Sequence, residues 1–258
     1  MPGRASPHIN PRVDIVFREV FGREGHEDLL VDLLNEVLRP ARPIRSVKLR
    51  SPFVFPESPS DRAVVVDLDA TDDAGDVYHV EMQTTAESTL RKRMMFVWAA
   101  VFRHQLTQGD GFAKLAPVIS VWICERSVVT DAEVGSRDRP WHTCWQVRES
   151  ESGARFSRDF ELHIVELDRL RRHGPTTPST RWLQFIANAE HWDEVPAGLS
   201  SPLLEKAMNV LDRINTHQRD VYEARLNEER RRIDQEAETA AAKAWAEAEA
   251  RAEAPRNR

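Results

Sequence analysis

Two groups of acidic residues flank a short turn in the otherwise largely apolar segment VVVDLDATDDAGDVYHVEMQ, residues 64–83. Carboxylates are the ligands that hard divalent cations such as Mg²⁺ prefer. Folding alone does not require acids within an apolar stretch. Whether they can bind a cation depends on which carboxylates lie next to each other in the folded chain.

The turn between the two groups predicts how the acids pair. Asp72 and Gly75 hold the first and fourth positions of a type I turn, and a left-handed glycine there closes a three-residue hairpin loop. If residues 73–75 form that loop, Asp67 lies directly opposite Glu81. The spacing therefore predicts a hairpin that sets two carboxylates against each other.

The two-residue period of a strand gives this hairpin one polar face. Its members are Asp67, Asp69, His79, Glu81 and Gln83. Opposed Cβ atoms lie about 4.5–5.5 Å apart, and like charges at that separation destabilise a sheet. A divalent cation would compensate them, because Mg²⁺ is usually held by one or two carboxylates together with several waters. The alternative is a solvated hairpin whose acids point into water, since acidic residues are common in turns.

Two amphipathic helices precede the hairpin. Asn10 and Pro11 are typical of a helix start, and apolar residues at helical spacing predict a first helix over 11–21 that ends at Gly22. The segment HEDLLVDLLNEVLRP predicts a second helix that ends at Pro40. An edge strand, IRSVKLRSP, and a loop, PFVFPESPSD, should follow.

Helical and strand patterns alternate after the hairpin. RKRMMFVWAAVFRHQLTQGDG is apolar nearly all round and predicts a buried helix that closes on Gly109, and APVISVWIC predicts a fully buried strand. DFELHIVELDRL predicts a further strand, and STRWLQFIANAEHW a helix. From about Leu203 the composition shifts to a long charged helix. The alternation predicts an α/β fold.

Composition limits the classes of function. The chain has 258 residues, 41% of them hydrophobic, which is enough for one large domain with a substantial core. Its net charge of −6 means that nucleic acid must be bound by a local basic patch. Cys124 and Cys144 form neither a CxxC pair nor a Cys/His cluster in the sequence, so a structural zinc site is not expected, and reduced thiols fit a cytosol. No window approaches the roughly 18 to 20 apolar residues of a membrane span, so we expect a soluble cytoplasmic protein.

Several segments match a known family in order. NPRVDIVF, LLVDLLNEVL, DLDATDDAGDVYHVEMQ, QLTQGDGFAKLAPVISVWI, ELHIVELDRL and RWLQFI occur between about residues 10 and 190. Together they resemble the recombination-promoting nuclease and transposase family of the PD-(D/E)XK superfamily, and VEMQ after the hairpin is the most specific element. The resemblance implies an α/β, restriction-endonuclease-like core of order αβββαβ, with a mixed sheet flanked by helices. We expect this nuclease-like domain over residues 8–200 and a charged helical extension over 201–258.

The same resemblance implies roles for the hairpin residues. Asp67 and Glu81 would ligate Mg²⁺, with Mn²⁺ as an alternative ion, and Met82 would add its backbone carbonyl. Gln83 stands where the superfamily has lysine, and Val66 where it has proline. Glutamine can orient a water or a phosphate oxygen through hydrogen bonds, but it cannot act as a cation or a general base.

The first helix offers further acids. Asp14 lies in the first helical turn, where it would complement the helix dipole and can pair with Arg18 four residues later. Related nucleases bring a carboxylate from this helix to the metal. Asp14 is therefore the third candidate ligand and Glu19 the next, with a purely structural pairing of Asp14 and Arg18 as the alternative.

Three basic residues, Arg91, Lys92 and Arg93, open the helix after the hairpin. They could position DNA phosphates, and the alternative is a solvated helix start.

These features predict a Mg²⁺-dependent DNA endonuclease linked to recombination or mobile elements. The alternative is a catalytically inactive nuclease fold that binds DNA or protein and self-associates through its helical tail. The intact set of Asp67, Glu81 and Gln83 argues against that alternative. The expected partner is DNA, with no membrane association, and cleavage of two strands would call for two active sites and so for a homodimer.

Overall fold

A computed structural model describes residues 8–50, 53–54, 64–85, 87–133, 140–173 and 178–217. Six α-helices lie in this part of the chain: α1 (Asp14–Phe21), α2 (Glu27–Leu38), α3 (Leu90–Arg103), α4 (Leu167–His173), α5 (Arg181–Asn188) and α6 (Pro202–His217). The eight strands in these residues are β1 (Val47–Leu49), β2 (Phe53–Val54), β3 (Val64–Val65), β4 (Leu68–Asp72), β5 (Val77–Gln83), β6 (Val118–Cys124), β7 (His142–Gln146) and β8 (Phe160–Glu166). The predicted tail beyond residue 217 lies outside the described residues.

Six of the strands form one mixed sheet in the order β1-β4-β5-β6-β8-β7. β1, β4 and β5 form an antiparallel meander, whereas β5, β6 and β8 are parallel. The parallel step from β5 to β6 requires a crossover, and α3 supplies it. The order α2-β1-β4-β5-α3-β6 gives the αβββαβ core, so the predicted mixed α/β fold is confirmed.

The hairpin of β4 and β5 has the register that its turn predicts. Leu68 pairs with Val80 and Asp69 pairs with His79. Gly75 has a φ of +87°, and the Asp72 side chain accepts a hydrogen bond from the Ala74 amide at 2.9 Å. This turn chemistry is local, which is why a few residues were enough to predict the pairing.

Helix α3 covers the face of the sheet that carries Glu81. Glu81, Trp122 and Ile164 are in register across β5, β6 and β8, so their side chains lie on the same face. Trp122 and Ile164 share a core with one stripe of α3, made of Leu90, Met94, Val97 and Val101.

Helices α1, α2 and α5 pack against one another, and the end of α1 lies against β4. Helix α1 approaches β4 closely at Gly22, just after the helix, where an added Cβ would force the Leu68 side chain to shift. The ring of Phe21 meets Trp182 of α5 edge to face, with ring centroids 5.3 Å apart. One predicted side of α2 is buried: Leu29, Leu30, Leu33, Leu34 and Val37.

Three of the predictions for elements are wrong in detail. Helix α1 begins at Asp14 and not at Pro11, because the Asn10 side chain accepts a hydrogen bond from the Arg12 amide and forms a turn before the helix. Helix α3 ends at Arg103, well before Gly109. It is also not buried all round, since Met95 and Phe96 are each about half exposed.

Two strand pairings were missing from the sequence prediction. β2 and β3 form a separate two-stranded sheet, and β2 falls in a segment that was predicted as a loop. β7 completes one edge of the main sheet by pairing antiparallel with β8.

The part of α6 up to Arg213 belongs to the same compact unit as the sheet. Leu204, Ala207 and Leu211 of α6 are fully buried. Lys206 binds α2 through an ion pair of 2.7 Å with Asp28. The division of the chain into functional parts at residue 200 stays a prediction.

Candidate metal centre

The structure brings Asp67 and Glu81 together at the open end of the hairpin. The Met82 amide donates to Asp67 Oδ2 at 2.7 Å, and the Asp67 amide donates to Glu81 Oε1 at 3.0 Å. The residues are 8% and 3% exposed, respectively. The solvated-hairpin alternative required the acids to point into water, and these two acids do not.

Helix α1 adds a third carboxylate next to this pair. Arg18 lies between Asp14 and Asp67, with Nε 2.6 Å from Asp14 Oδ1 and Nη2 3.2 Å from Asp67 Oδ1. The predicted pairing of Asp14 with Arg18 is thus present, and it also places Asp14 beside the hairpin acids. Glu19 is engaged elsewhere, in an ion pair with Arg23.

This gathering of negative charge is costly for the folded protein. Burial raises the pKa of Asp67 well above its usual range, and the neighbouring charges of Glu81 and Asp14 raise it further. The Met82 amide opposes that shift, because it donates a hydrogen bond to the ionised carboxylate. A cation at this position would stabilise the ionised acids.

The side chains fit a magnesium site in their chemistry. All three candidate ligands are carboxylates, which suit a hard cation better than a soft one. They do not present three ligand atoms within 4.8 Å of one another; among the described residues, only a separate group that contains Cys144 does so. Mg²⁺ does not require that closeness, because one or two carboxylates and several waters usually complete its shell.

Gln83 lies on the same strand face as Glu81, in contact with Arg93 of α3. Its Nε2 donates to the Thr85 carbonyl at 2.9 Å, and its Oε1 accepts from Arg93 Nη1 at 3.1 Å. Arg93 Nη2 also lies 3.5 Å from Glu81 Oε2, and its guanidinium stands over the Trp122 ring. A positive charge from α3 is therefore present beside Gln83, which itself cannot carry one.

His79 is a further contact of the site, and it is not among the predicted metal-binding or catalytic residues. Its Nε2 lies 3.0 Å from Glu81 Oε1, and its Nδ1 lies 2.8 Å from Ser120 Oγ. Ser120 also accepts from the Trp122 indole at 3.0 Å. The signal was available, because His79 and Glu81 are two residues apart on a strand and share its polar face.

The remaining predicted residues have different surroundings. Asp69 is buried beside Arg50, 3.5 Å away, and burial raises its pKa. Arg91 pairs with Glu133, whereas Lys92 is exposed and makes no ion pair with any residue that the structure describes. The three basic residues therefore differ: Arg91 is held in a salt bridge, Lys92 is exposed, and Arg93 contacts the carboxylate site. A metal-binding role for the Met82 carbonyl stays a prediction.

The six-stranded mixed sheet flanked by helices is consistent with the class of PD-(D/E)XK nuclease folds. A sequence model described as PD-(D/E)XK nuclease family transposase matches residues 11–242, and the chain belongs to that family. Neither the curated proteins nor the solved structures contain a significant match to the chain. Across the described residues, every helix is too short or too polar to span a bilayer.

Proposed function

We propose that this protein is a Mg²⁺-dependent DNA endonuclease that acts in recombination or on mobile elements. Membership of a nuclease and transposase family supports a nuclease role. The observation that carries the proposal is the juxtaposition of Asp67 and Glu81, buried and linked through the Asp67 amide, with Asp14 alongside.

Asp67 and Glu81, with the Met82 carbonyl, are the groups that would hold the metal. When bound, Mg²⁺ would polarise the scissile phosphate and lower the pKa of a water, which supplies the nucleophile for hydrolysis. The hydrogen bond from the Met82 amide keeps Asp67 in a fixed orientation. His79 helps to orient Glu81 in the same way, through the contact of its Nε2 with Glu81 Oε1.

Gln83 and Arg93 would act on the phosphate side of the reaction. Gln83 Nε2 donates to the carbonyl and hydroxyl oxygens of Thr85, so it would exchange one of these bonds to donate to a phosphate oxygen. Arg93 would contribute the positive charge that stabilises a developing anion. Exposed Lys92, on the same helix, would bind the DNA backbone, since the net charge of −6 gives the whole molecule no general attraction for DNA.

A second candidate, DNA binding without cleavage, is favoured by one observation. Arg18 and Arg93 already lie against Asp67 and Glu81, so arginines could serve as permanent partners of these carboxylates. In that case no metal would bind here, and the acidic site would only stabilise the fold.

Cleavage of supercoiled plasmid by the purified full chain separates the two candidates. The nuclease proposal predicts nicking in Mg²⁺ or Mn²⁺ that EDTA abolishes and that Glu81→Gln reduces by at least about 100-fold. A folded wild-type protein that binds DNA but cleaves it in neither metal would favour the binding function.

A further inference from the structure

A second group of metal-ligating side chains lies where β7 pairs with β8. Cys144, Glu161 and His163 each offer a ligand atom, and the three atoms lie within 4.8 Å of one another. The register explains the meeting, because Cys144 pairs with His163 and Gln146 pairs with Glu161. All three side chains therefore project from one face of the sheet.

The spacing of the three ligand atoms resembles that of a tetrahedral zinc site. His163 Nε2 lies 3.7 Å from Cys144 Sγ and 2.9 Å from Glu161 Oε1. Zinc bonds of about 2.3 Å to sulfur and about 2.0–2.2 Å to nitrogen and oxygen separate tetrahedral ligands by roughly 3.4–3.6 Å. To reach these separations, the His163–Cys144 pair would shorten by about 0.1–0.3 Å and the His163–Glu161 pair would lengthen by about 0.5–0.7 Å.

The surrounding residues hold the ligands in place. Glu161 Oε2 accepts hydrogen bonds from Arg155 at 2.7 Å and from Gln146 at 2.9 Å, which leaves Oε1 facing His163. His163 Nδ1 lies 2.8 Å from His142 Nε2. A hydrogen on Nδ1 that is donated to His142 leaves the Nε2 lone pair for a metal, and partners of this kind orient metal-binding histidines.

This cluster is separate from the carboxylate site in the fold. His163 is in register with Val121 and Val80, which alternate with Trp122 and Glu81 along their strands. The cluster therefore lies on the opposite face of the sheet, two strands away from Glu81.

We infer that Cys144, Glu161 and His163 bind a zinc ion that fastens the edge strand β7 to β8. Thiolate and imidazole ligands select Zn²⁺ over Mg²⁺, which prefers oxygen. His163 is buried, whereas Cys144 is exposed, so the ion has an entry path and a fourth position for water. Sequence spacing concealed the cluster, since the cysteine and the histidine lie on different strands.

The test uses Co²⁺ as a spectroscopic substitute for zinc in the full chain after removal of metals by chelation. We expect one equivalent of Co²⁺ to give a thiolate-to-cobalt charge-transfer band, which Zn²⁺ then abolishes by displacement. Cys144→Ser should lose the band and bind Zn²⁺ at least about tenfold more weakly. Cys124→Ala, which removes the other cysteine, and Asp67→Asn, which alters the carboxylate site, should both keep the band.

A thermal measurement provides a second readout. A ligand that binds the folded state alone raises its stability, so Zn²⁺ should raise the Tm of the wild type and not that of Cys144→Ser. The wild type without a charge-transfer band, or an unchanged band in Cys144→Ser, would overturn the inference. In that case His163 donates Nε2–H to Glu161, and the cluster is a hydrogen-bond network only.

Discussion

Ionisation of the buried Asp67 side chain destabilises the folded protein. Its pKa is raised by burial and by the charges of Glu81 and Asp14, so the folded state holds the proton more tightly than the unfolded state does. The free energy of unfolding of the metal-free protein should therefore fall as pH rises from the ordinary aspartate range toward neutrality. Asp67→Asn should flatten this dependence in chemical denaturation at pH 5 and pH 8 in EDTA.

The exposed residue Asp73 provides the matched control for this experiment. Asp73→Asn also removes one negative charge, but it should leave the pH dependence of the wild type in place. Equal slopes for the wild type and Asp67→Asn would contradict the claim that burial and the neighbouring carboxylates raise the pKa of Asp67.

Arg91 and Arg93 are two residues apart and should differ sharply in function. Arg93 contacts Glu81 and Gln83, whereas Arg91 is held by Glu133 and the Val128 carbonyl. We predict that Arg93→Gln lowers the cleavage rate by about 100- to 1,000-fold, the range for loss of one positioned donor. Arg91→Gln should cleave within about threefold of the wild type, because a surface ion pair contributes little. Similar rates for the two variants, measured in single-turnover assays, would argue against a role for Arg93.

At the scale of elements, the hairpin of β4 and β5 depends on its turn. Gly75 has a φ of +87°, and a Cβ there would meet no atom within 4 Å, so the cost of substitution is that of the backbone alone. Gly75→Ala should destabilise the protein by about 1 kcal/mol. Gly111→Ala is the control, because Gly111 has equal space and a φ of −82°. Urea denaturation that ranks the two variants equally would show that the turn conformation does not matter.

The sequence predicted elements well where the signal was local. The turn residues Asp72 and Gly75 determined the pairing that places Asp67 beside Glu81, and the apolar stripe of α2 matched its buried side. The placement of β7 was not predictable, because its pairing with β8 joins segments that neither a tight turn nor a shared pattern connects. The contact between Arg18 of α1 and Asp67 was also not predictable, because tertiary packing and not local sequence brings the two residues together.

Helix α3 shows how an apolar pattern can mislead. Its apolar residues suggested burial on all sides, yet packing on one sheet face buries a single stripe and leaves Met95 and Phe96 half exposed. A helix that covers a sheet has only one face to bury, whatever the composition of the other.

For the whole molecule, α6 should be part of the folding unit and not a dispensable tail. Its buried residues include Leu204 and Leu211, and each fully buried side chain of this kind contributes about 1.5–3 kcal/mol. A chain of residues 1–217 should unfold cooperatively and keep the cleavage activity. A chain of residues 1–201 should lose stability comparable to that of a whole domain. Circular dichroism melts that show equal stability for the two would contradict this account.

The most direct test of the central claim compares two buried acids two residues apart. Asp67 contacts the Met82 amide and lies beside Glu81, whereas Asp69 lies beside Arg50. Each is changed to asparagine, and cleavage of supercoiled plasmid is measured in Mg²⁺. The account predicts that Asp67→Asn abolishes metal-dependent nicking and that Asp69→Asn retains it. Cleavage by Asp67→Asn at the wild-type rate would contradict the account, because it would place the nuclease site elsewhere.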